Sequence, residues 1–232
     1  MTETLPIGRR RIVAALLLLT VATGLIDAIS VLVLGHVFVA NMTGNAIFVG
    51  FLFVPGTGID WTGAAVSFGG FVTGAIVGGR FVRWLGHRIR VWLTVALGTE
   101  IVVLAVLSIL AGTGVLHYHD SSKLIVIASG ALAFGLQNST ARQFGIQELY
   151  TTVLTSTIVG LGVDSRLAGG TGKREKLRYS VVAAMVGGAV VGATLSRVVV
   201  APVIALAAAV VAVSLLVFTV GVDPAATRQK CE

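Results

Sequence analysis

The sequence predicts an all-α membrane protein with six transmembrane helices and two re-entrant or broken half-helix segments. The chain is 56% hydrophobic and 12% charged, with a mean hydropathy of +0.96. Ordinary soluble domains are about 45–50% apolar and about 25% charged. Eight apolar segments alternate with clusters of basic residues, and two of the eight are too short to cross a bilayer. These observations favour a multi-pass membrane bundle over a soluble domain.

The 232 residues are enough for one compact bundle, so we expect a single membrane domain over residues 1–232. The formal net charge of +7 comes from Lys and Arg in short loops and tails, where they orient membrane helices, so no nucleic-acid partner is expected. The single cysteine, Cys231, offers no disulfide framework or CxxC metal pair. P-loop, dinucleotide, HExxH and GxSxG motifs are missing, so neither an enzyme nor a cofactor is expected.

The apolar segments give the elements in order. They cover residues 12–34, 44–54, 61–79, 91–114, 123–138, 150–163, 179–196 and 198–220. The first follows three arginines, as a signal peptide would, but it is longer than a signal core of about 7–15 residues and carries Asp27. We interpret it as the first membrane helix. The segments 44–54 and 150–163 are too short to span about 30 Å of hydrocarbon.

Basic clusters orient the spans. They consist of Arg9, Arg10 and Arg11; of Arg80, Arg83, Arg88 and Arg90; and of Arg166, Lys173, Arg174, Lys176 and Arg178. Because basic loops stay in the cytoplasm, both termini are expected there, and the loop with His117 and His119 is external. Each short segment then begins and ends on one side of the membrane. The two segments are therefore expected to form re-entrant hairpins that enter from opposite faces.

Both halves of the chain have the same order of parts, namely a span, a hairpin and two spans. The first half covers about residues 12–114 and the second about 123–220, in opposite orientations. This predicts a 3+3 inverted repeat, a common plan of membrane transporters. Residue matches support it: Gly24 aligns with Gly135 at an offset of 111, and Gly74 and Gly78 align with Gly188 and Gly192 at 114.

The first hairpin carries polar residues into the most apolar part of the chain. Residues from His36 to 40 favour an extended backbone, and Asn41, Thr43 and Asn45, around Gly44, can cap a helix start. Irregular polar backbone survives at membrane depth only inside the protein or against a watery cavity. The free N–H groups of such a helix start carry about half a positive charge and favour an anion or a carboxylate.

The second hairpin supplies hydroxyl groups at the corresponding place, from Thr151, Thr152, Thr155, Ser156 and Thr157. We expect the two helix starts to meet near the membrane midplane and to frame one site for a small solute. An alternative is that these polar side chains only satisfy the bent backbone.

Carboxylates inside spans are costly and usually face an interior or a water pathway, where they suit proton exchange. Asp27 and Glu100 lie within predicted spans, and Gln137 and Asn138 begin a polar stretch in the second half. We expect these four side chains along a substrate or ion pathway. Either carboxylate could instead pair with Arg142 or accept hydrogen bonds from the hairpin backbone, and the polar stretch is partly an ordinary cytoplasmic connection.

Small residues recur every fourth position on two helices, so each set lines one helix face. The sets are Gly70, Gly74 and Gly78, and Ala184, Gly188, Gly192 and Ser196. Such faces let membrane helices approach closely. They predict a sliding surface between the repeats, a seam of a homodimer, or static packing within the chain.

The run TGLIDAISVLVLGHVFVANMTGNAIFVG, residues 23–50, closely resembles the signature of the YoaK family of bacterial multi-pass membrane proteins. The most specific parts are the DA at 27–28 and the VFVANMTGN at 37–45. The resemblance covers nearly the whole chain in length and span pattern. It implies an inner-membrane location and a compact single domain, and it carries no substrate or reaction.

These features predict a small-solute transporter or channel. One repeat would rock against the other around the two hairpins, with Asp27 as a proton carrier and an anionic solute favoured. The competing interpretation is a non-transporting accessory or scaffold protein that binds a partner through its glycine faces. Besides the lipid bilayer, the expected partners are that solute or a second copy of the chain.

Overall fold

The computed structural model describes residues 7–54, 56, 61–85, 88–115, 122–146, 154–172 and 174–220. All regular elements in these ranges are helices. They are α1 (Arg9–Val33), α2 (Met42–Gly50), α3 (Trp61–Leu85), α4 (Ile89–Gly112), α5 (Lys123–Arg142), α6 (Leu154–Val163), α7 (Glu175–Ser196) and α8 (Ala201–Val220). Except for α2 and α6, each is long and apolar enough to cross a membrane. The predicted six spans and two short apolar helices are confirmed.

Hydrogen bonds between distant elements define the ends of the bundle. Arg11, at the start of α1, donates from Nη1 to the carbonyl oxygen of Val220 at the end of α8, at 3.2 Å. Ser108, near the end of α4, donates to the carbonyl oxygen of Ala201 at the start of α8, at 2.8 Å. The helices α1 and α4 are therefore antiparallel to α8. We call the end that contains Arg11 and Val220 the basic end and the opposite one the far end.

The core lies between α1, α4, α5 and α8, and α1 and α5 are its most buried helices. The helix α7 packs along α1, and α3 packs along α5. On the periphery, α2 packs on α3 and α6 packs on α7. Each short helix thus packs against a peripheral span, α3 or α7. Each of those two spans packs in turn against one of the two central helices, α5 or α1.

Several predictions concern residues outside the described ranges. They include the loop with His117 and His119, the hydroxyl groups of Thr151 and Thr152, Cys231 and both termini. Membrane orientation and the relation between the two halves stay predictions at this point.

Candidate functional site

The first hairpin returns into the bundle immediately after α1. Gly35 and His36 both have positive φ angles, of 99° and 61°, which turn the chain back toward the bundle. The extended segment that follows reaches Asp27. The Oδ1 atom of Asp27 accepts hydrogen bonds from the backbone N–H groups of Val39 at 3.0 Å and Ala40 at 2.9 Å. Since Asp27 lies six residues before the end of α1, the chain re-enters by about 9 Å.

Asp27 also accepts a hydrogen bond from the Asn41 side chain, which donates from Nδ2 to Oδ2 at 2.5 Å. Both carboxylate oxygens of Asp27 therefore accept hydrogen bonds from the hairpin, and the Asp27 side chain is buried. Of the arrangements that the sequence allowed, the structure has the one in which Asp27 binds the hairpin backbone. Asp27 is the residue that fixes where the extended segment stops and α2 begins.

A second set of hydrogen bonds holds the extended segment at Phe38, from Asn45 and Ser67. Asn45 accepts from the Phe38 N–H at 2.9 Å and donates from Nδ2 to the Phe38 carbonyl oxygen at 2.5 Å. Ser67, on α3, donates to that carbonyl oxygen at 2.5 Å. Because Asn45 and Ser67 are fully buried, these bonds satisfy the extended backbone inside the protein, as membrane depth requires.

The other predicted residues of this hairpin differ in exposure. His36 and Thr43 are exposed, and Gly44 lies so close to the Phe38 ring that a side chain there would overlap it. The Asn41 side chain is committed to Asp27, so it does not cap α2. The first-turn N–H groups of α2 consequently lack a side-chain cap.

In the second hairpin, α6 ends at the basic end, beside the start of α7. Arg178 donates from Nη1 to the Gly160 carbonyl oxygen at 2.7 Å and to Asp164 Oδ2 at 2.5 Å. Thr157 is the buried residue of α6, whereas Thr155 and Ser156 are exposed. Thr157 and Asn45 are thus the residues that their short helices bury. They are 112 residues apart, which lies between the offsets of 111 and 114 that align the glycines of the two halves.

Two close helix crossings use the predicted glycines. Where α1 meets α7, Gly24 faces the Met185 carbonyl and the Ala189 amide, and a Cβ at Gly188 or Gly192 would overlap the backbone of α1. Each of these glycines therefore lets one backbone touch the other. The face of α7 is covered by α1 of the same chain, so its glycines make a close contact within the chain.

The crossing of α3 with α5 has the same construction. Gly135 faces the Phe71 carbonyl and the Ala75 amide, and a Cβ at Gly70 or Gly74 would overlap the backbone carbonyls of α5. At Gly78 a Cβ would overlap the Ser139 side chain. This face is likewise covered within the chain.

The centre of the bundle holds three further polar side chains of interest. Gln137 and Glu100 are fully buried, and Gln137 donates from Nε2 to the Thr23 hydroxyl at 3.2 Å. Among the described residues, no hydrogen-bond partner is present for either carboxylate oxygen of Glu100 or for the Oε1 atom of Gln137. Asn138 is half-buried and donates to the Phe134 carbonyl at 3.0 Å.

The two ends of the core differ. At the basic end Phe144 stacks between two rings, with centroids 5.9 Å from Trp92 and 4.8 Å from Phe218. These three aromatic residues, the aromatic stack, are buried and close the space between α4, α5 and α8. In the far-end half there is instead a small cavity of about 20 Å³, whose apolar lining includes Val39, Leu104 and Gly130.

Sequence reasoning did not single out the aromatic stack, Thr23 or Ser67 as functional residues. Nothing in the local sequence marks them, because aromatic and hydroxyl residues are common in apolar helices. The one available signal was the alternating direction of the predicted spans, which brings the start of α4 to the ends of α5 and α8. In contrast, Asp27, Asn41 and Asn45 are brought together in the structure, whereas Thr155 and Ser156 lie on the exposed side of α6.

Comparison with known proteins agrees with this architecture. The chain matches the family described as "Protein of unknown function (DUF1275)" over residues 15–217. It is 30% identical over 174 residues to the UPF0700 transmembrane protein YoaK of Bacillus subtilis (strain 168), covering 72% of this chain and 74% of that protein. No solved structure matches. The chain therefore belongs to the family of unknown function DUF1275, and its similarity to YoaK confirms the predicted YoaK-family membrane protein.

Proposed function

We propose that this protein is a small-solute transporter built as a 3+3 inverted repeat, in which one half rocks against the other around the buried centre. The observation that carries the proposal is the asymmetry of the core: a sealed aromatic stack at the basic end and a cavity in the far-end half. Alternating access requires that at least one end of the path is closed at any time, and the buried aromatic stack supplies a closed basic end. In this proposal the basic end faces the cytoplasm of a bacterial cell, because basic loops stay there.

The glycine crossings support the repeat. Gly24 of α1 faces Met185 and Ala189 of α7, and Gly135 of α5 faces Phe71 and Ala75 of α3. Gly135 follows Gly24 by 111 residues. Met185 and Ala189 follow Phe71 and Ala75 by 114 residues, so the two contacts correspond. A second pair of contacts corresponds in the same way: Gly188 meets Val21, and Gly74 meets Leu132. Gly188 follows Gly74 by 114 residues, and Leu132 follows Val21 by 111. Two crossings that match in backbone contacts are expected of an inverted repeat and not of unrelated helix pairs.

These crossings also suit the proposed motion. Each one joins a helix of the first half to a helix of the second half, α1 with α7 and α5 with α3. A face made of glycine leaves no interdigitating side chains to lock the two helices in one register. The crossings can therefore act as pivots while the aromatic stack separates and the far end closes.

The solute class follows from the hairpin. The first turn of α2 has no side-chain cap, and its N-terminus lies where Asp27 stops the extended segment. Uncapped N–H groups at a helix start favour an anion or a carboxylate. Because Asp27 is occupied by three hydrogen-bond donors, its role in this proposal is to position α2 and not to carry a proton.

A thermal-shift screen of the purified protein against inorganic anions, amino acids and carboxylate metabolites tests the proposal. A transporter binds its solute in the folded state, so at least one compound should raise the Tm. A scaffold protein predicts that none does. The glycine faces give a scaffold no free surface among the described residues, since α1 and α5 cover them.

Gly130→Val should fold normally and lose the response to that solute. A Cβ at Gly130 would meet Val39 at an ordinary van der Waals distance of 3.7 Å, and the two further methyl groups of Val would take up space in the cavity that Gly130 lines. We expect the Kd of the solute to rise about tenfold or more, as for a methylene-sized misfit in a pocket. The control is Gly98→Val on α4, where the space is open. Equal solute responses in both variants would argue against the cavity as the access path.

A further inference from the structure

We propose that Glu100 and Gln137 form a proton-binding site at the centre of the bundle. Its use in coupling rests on the proposed transport function, whereas its existence does not. The site would take one proton, which the Glu100 carboxyl group donates as a hydrogen bond to the Oε1 atom of Gln137.

The first argument is that no hydrogen-bond donor compensates the carboxylate charge of Glu100 among the described residues. Its side chain is fully buried, and neither of its oxygens has a hydrogen-bond donor among the described residues. A bare carboxylate in such a place costs several kcal/mol. The charge must therefore be neutralised by something that binds to the group.

The surrounding helices offer no cation for this purpose. Residues 201–220 of α8 contain no ionisable side chain, and α5 has only Lys123 and Arg142 at its two ends. The ionisable residues of α1 are Arg9, Arg10, Arg11 and Asp27, and those of α3 are Arg80 and Arg83, while α4 itself adds Arg90 at its start. All of these basic residues lie within six residues of an end of their helices. Neutralisation thus requires a mobile ion.

The second argument is the orientation of Gln137. The Thr23 hydroxyl donates its proton to the Leu19 carbonyl oxygen at 3.0 Å, so toward Gln137 it can only accept. The NH₂ group of Gln137 must then face Thr23, and its Oε1 atom faces away without a donor. Gln137 and Glu100 together present three buried acceptor oxygens that no donor reaches among the described residues.

Glu100 and Gln137 lie at the same depth. Glu100 is eight residues outward of Trp92 on α4, about 12 Å, and Gln137 is seven residues outward of Phe144, about 10 Å. Since Trp92 and Phe144 stack on each other and α4 packs against α5, these distances put Glu100 and Gln137 in one layer of the bundle, and the proposed pairing requires their side chains to face each other there. A proton on Glu100 supplies the donor that this layer lacks.

A proton fits this layer better than a metal ion. Hard cations such as Ca²⁺ and Mg²⁺ take six or more oxygen ligands, and the free side-chain oxygens of these two residues number three. The layer also lies between the two ends of the core: the aromatic stack is on the basic side, and Leu104 of the cavity lining is one helical turn outward of Glu100. The proton would be exchanged toward the far end in this conformation.

Infrared difference spectroscopy of the purified full-length protein at neutral pH tests the site without any solute. We expect the C=O stretching band of a protonated carboxyl group in the wild type, lost in Glu100→Gln and kept in Asp27→Asn. In Gln137→Leu, which removes the acceptor, the band should persist and shift to higher frequency.

The proposal is overturned if the wild type lacks the band, or if the band survives in Glu100→Gln. It is also overturned if Na⁺ or K⁺ at constant pH removes the band, because the site would then hold a metal cation. Should Glu100→Gln fail to fold, the shift in Gln137→Leu decides the question, and an unshifted band contradicts the pairing. None of these results depends on flux, so a failure of the transport proposal is recognised separately.

Discussion

Gly188→Leu is expected to abolish the folded protein. A Cβ at this position would overlap the Val21 carbonyl in the backbone of α1, and a backbone cannot move aside as a flexible side chain can. Overpacking a tight core costs about 3 kcal/mol or more when the neighbours cannot relax, a large part of a typical stability. Size-exclusion chromatography of the detergent-solubilised variant should show aggregate in place of the sharp wild-type peak.

The adjacent residue provides the matched control. Gly187 lies on the same helix with open space where its Cβ would be, so Gly187→Leu adds the same side chain without the overlap. We expect it to elute as the wild type does. The pair Gly74→Leu and Gly69→Leu repeats the comparison on α3. Of these two glycines, Gly74 faces the backbone of α5 and Gly69 has open space. Equal behaviour within either pair would contradict the close crossings.

Asp27→Leu is expected to release the first hairpin. The substitution removes the acceptor of three hydrogen bonds. It leaves the buried N–H groups of Val39 and Ala40 and the half-buried Asn41 amide without that partner. Each such group costs about 1–3 kcal/mol. Asp27→Asn should be milder, because an amide oxygen can still accept from both backbone N–H groups.

A cysteine at position 39 reports on the hairpin directly, in a background in which Cys231 is replaced by Ser. Val39 is buried, so Val39→Cys should resist a water-soluble maleimide in the Asp27 background. It should react at least about tenfold faster with Asp27→Leu, corresponding to about 1.4 kcal/mol of lost protection. Unchanged protection would mean that Asn45 and Ser67 hold the segment without Asp27.

Much of this architecture could be predicted from the sequence because membrane insertion imposes simple rules. Hydropathy and the minimum length of a span gave the eight helices, since every backbone group in lipid must be paired within a helix. The fourfold spacing of Gly70, Gly74 and Gly78 and of Gly188 and Gly192 pointed to close helix packing, because glycine faces let membrane helices approach closely. Polar residues between α1 and α2 pointed to a hairpin for the same reason.

The roles of individual polar residues were harder to predict. Asp27 and Glu100 are both carboxylates inside spans, and the sequence alone cannot say which one has hydrogen-bond donors. The donors of Asp27 come from the backbone of the hairpin, whose path depends on Gly35 and His36 adopting positive φ angles. Glu100 has no such neighbour among the described residues. The aromatic stack depends on three helix ends meeting, which only tertiary packing determines.

Uptake by proteoliposomes tests the central claim most directly. The purified protein would be reconstituted into liposomes and supplied with the solute that raises its Tm most, with and without a proton gradient. We predict uptake above that of protein-free liposomes, acceleration by the gradient in the wild type, and strong reduction in Gly130→Val. Uptake no faster than in protein-free liposomes, for every solute that binds, would contradict the account of this protein as a transporter.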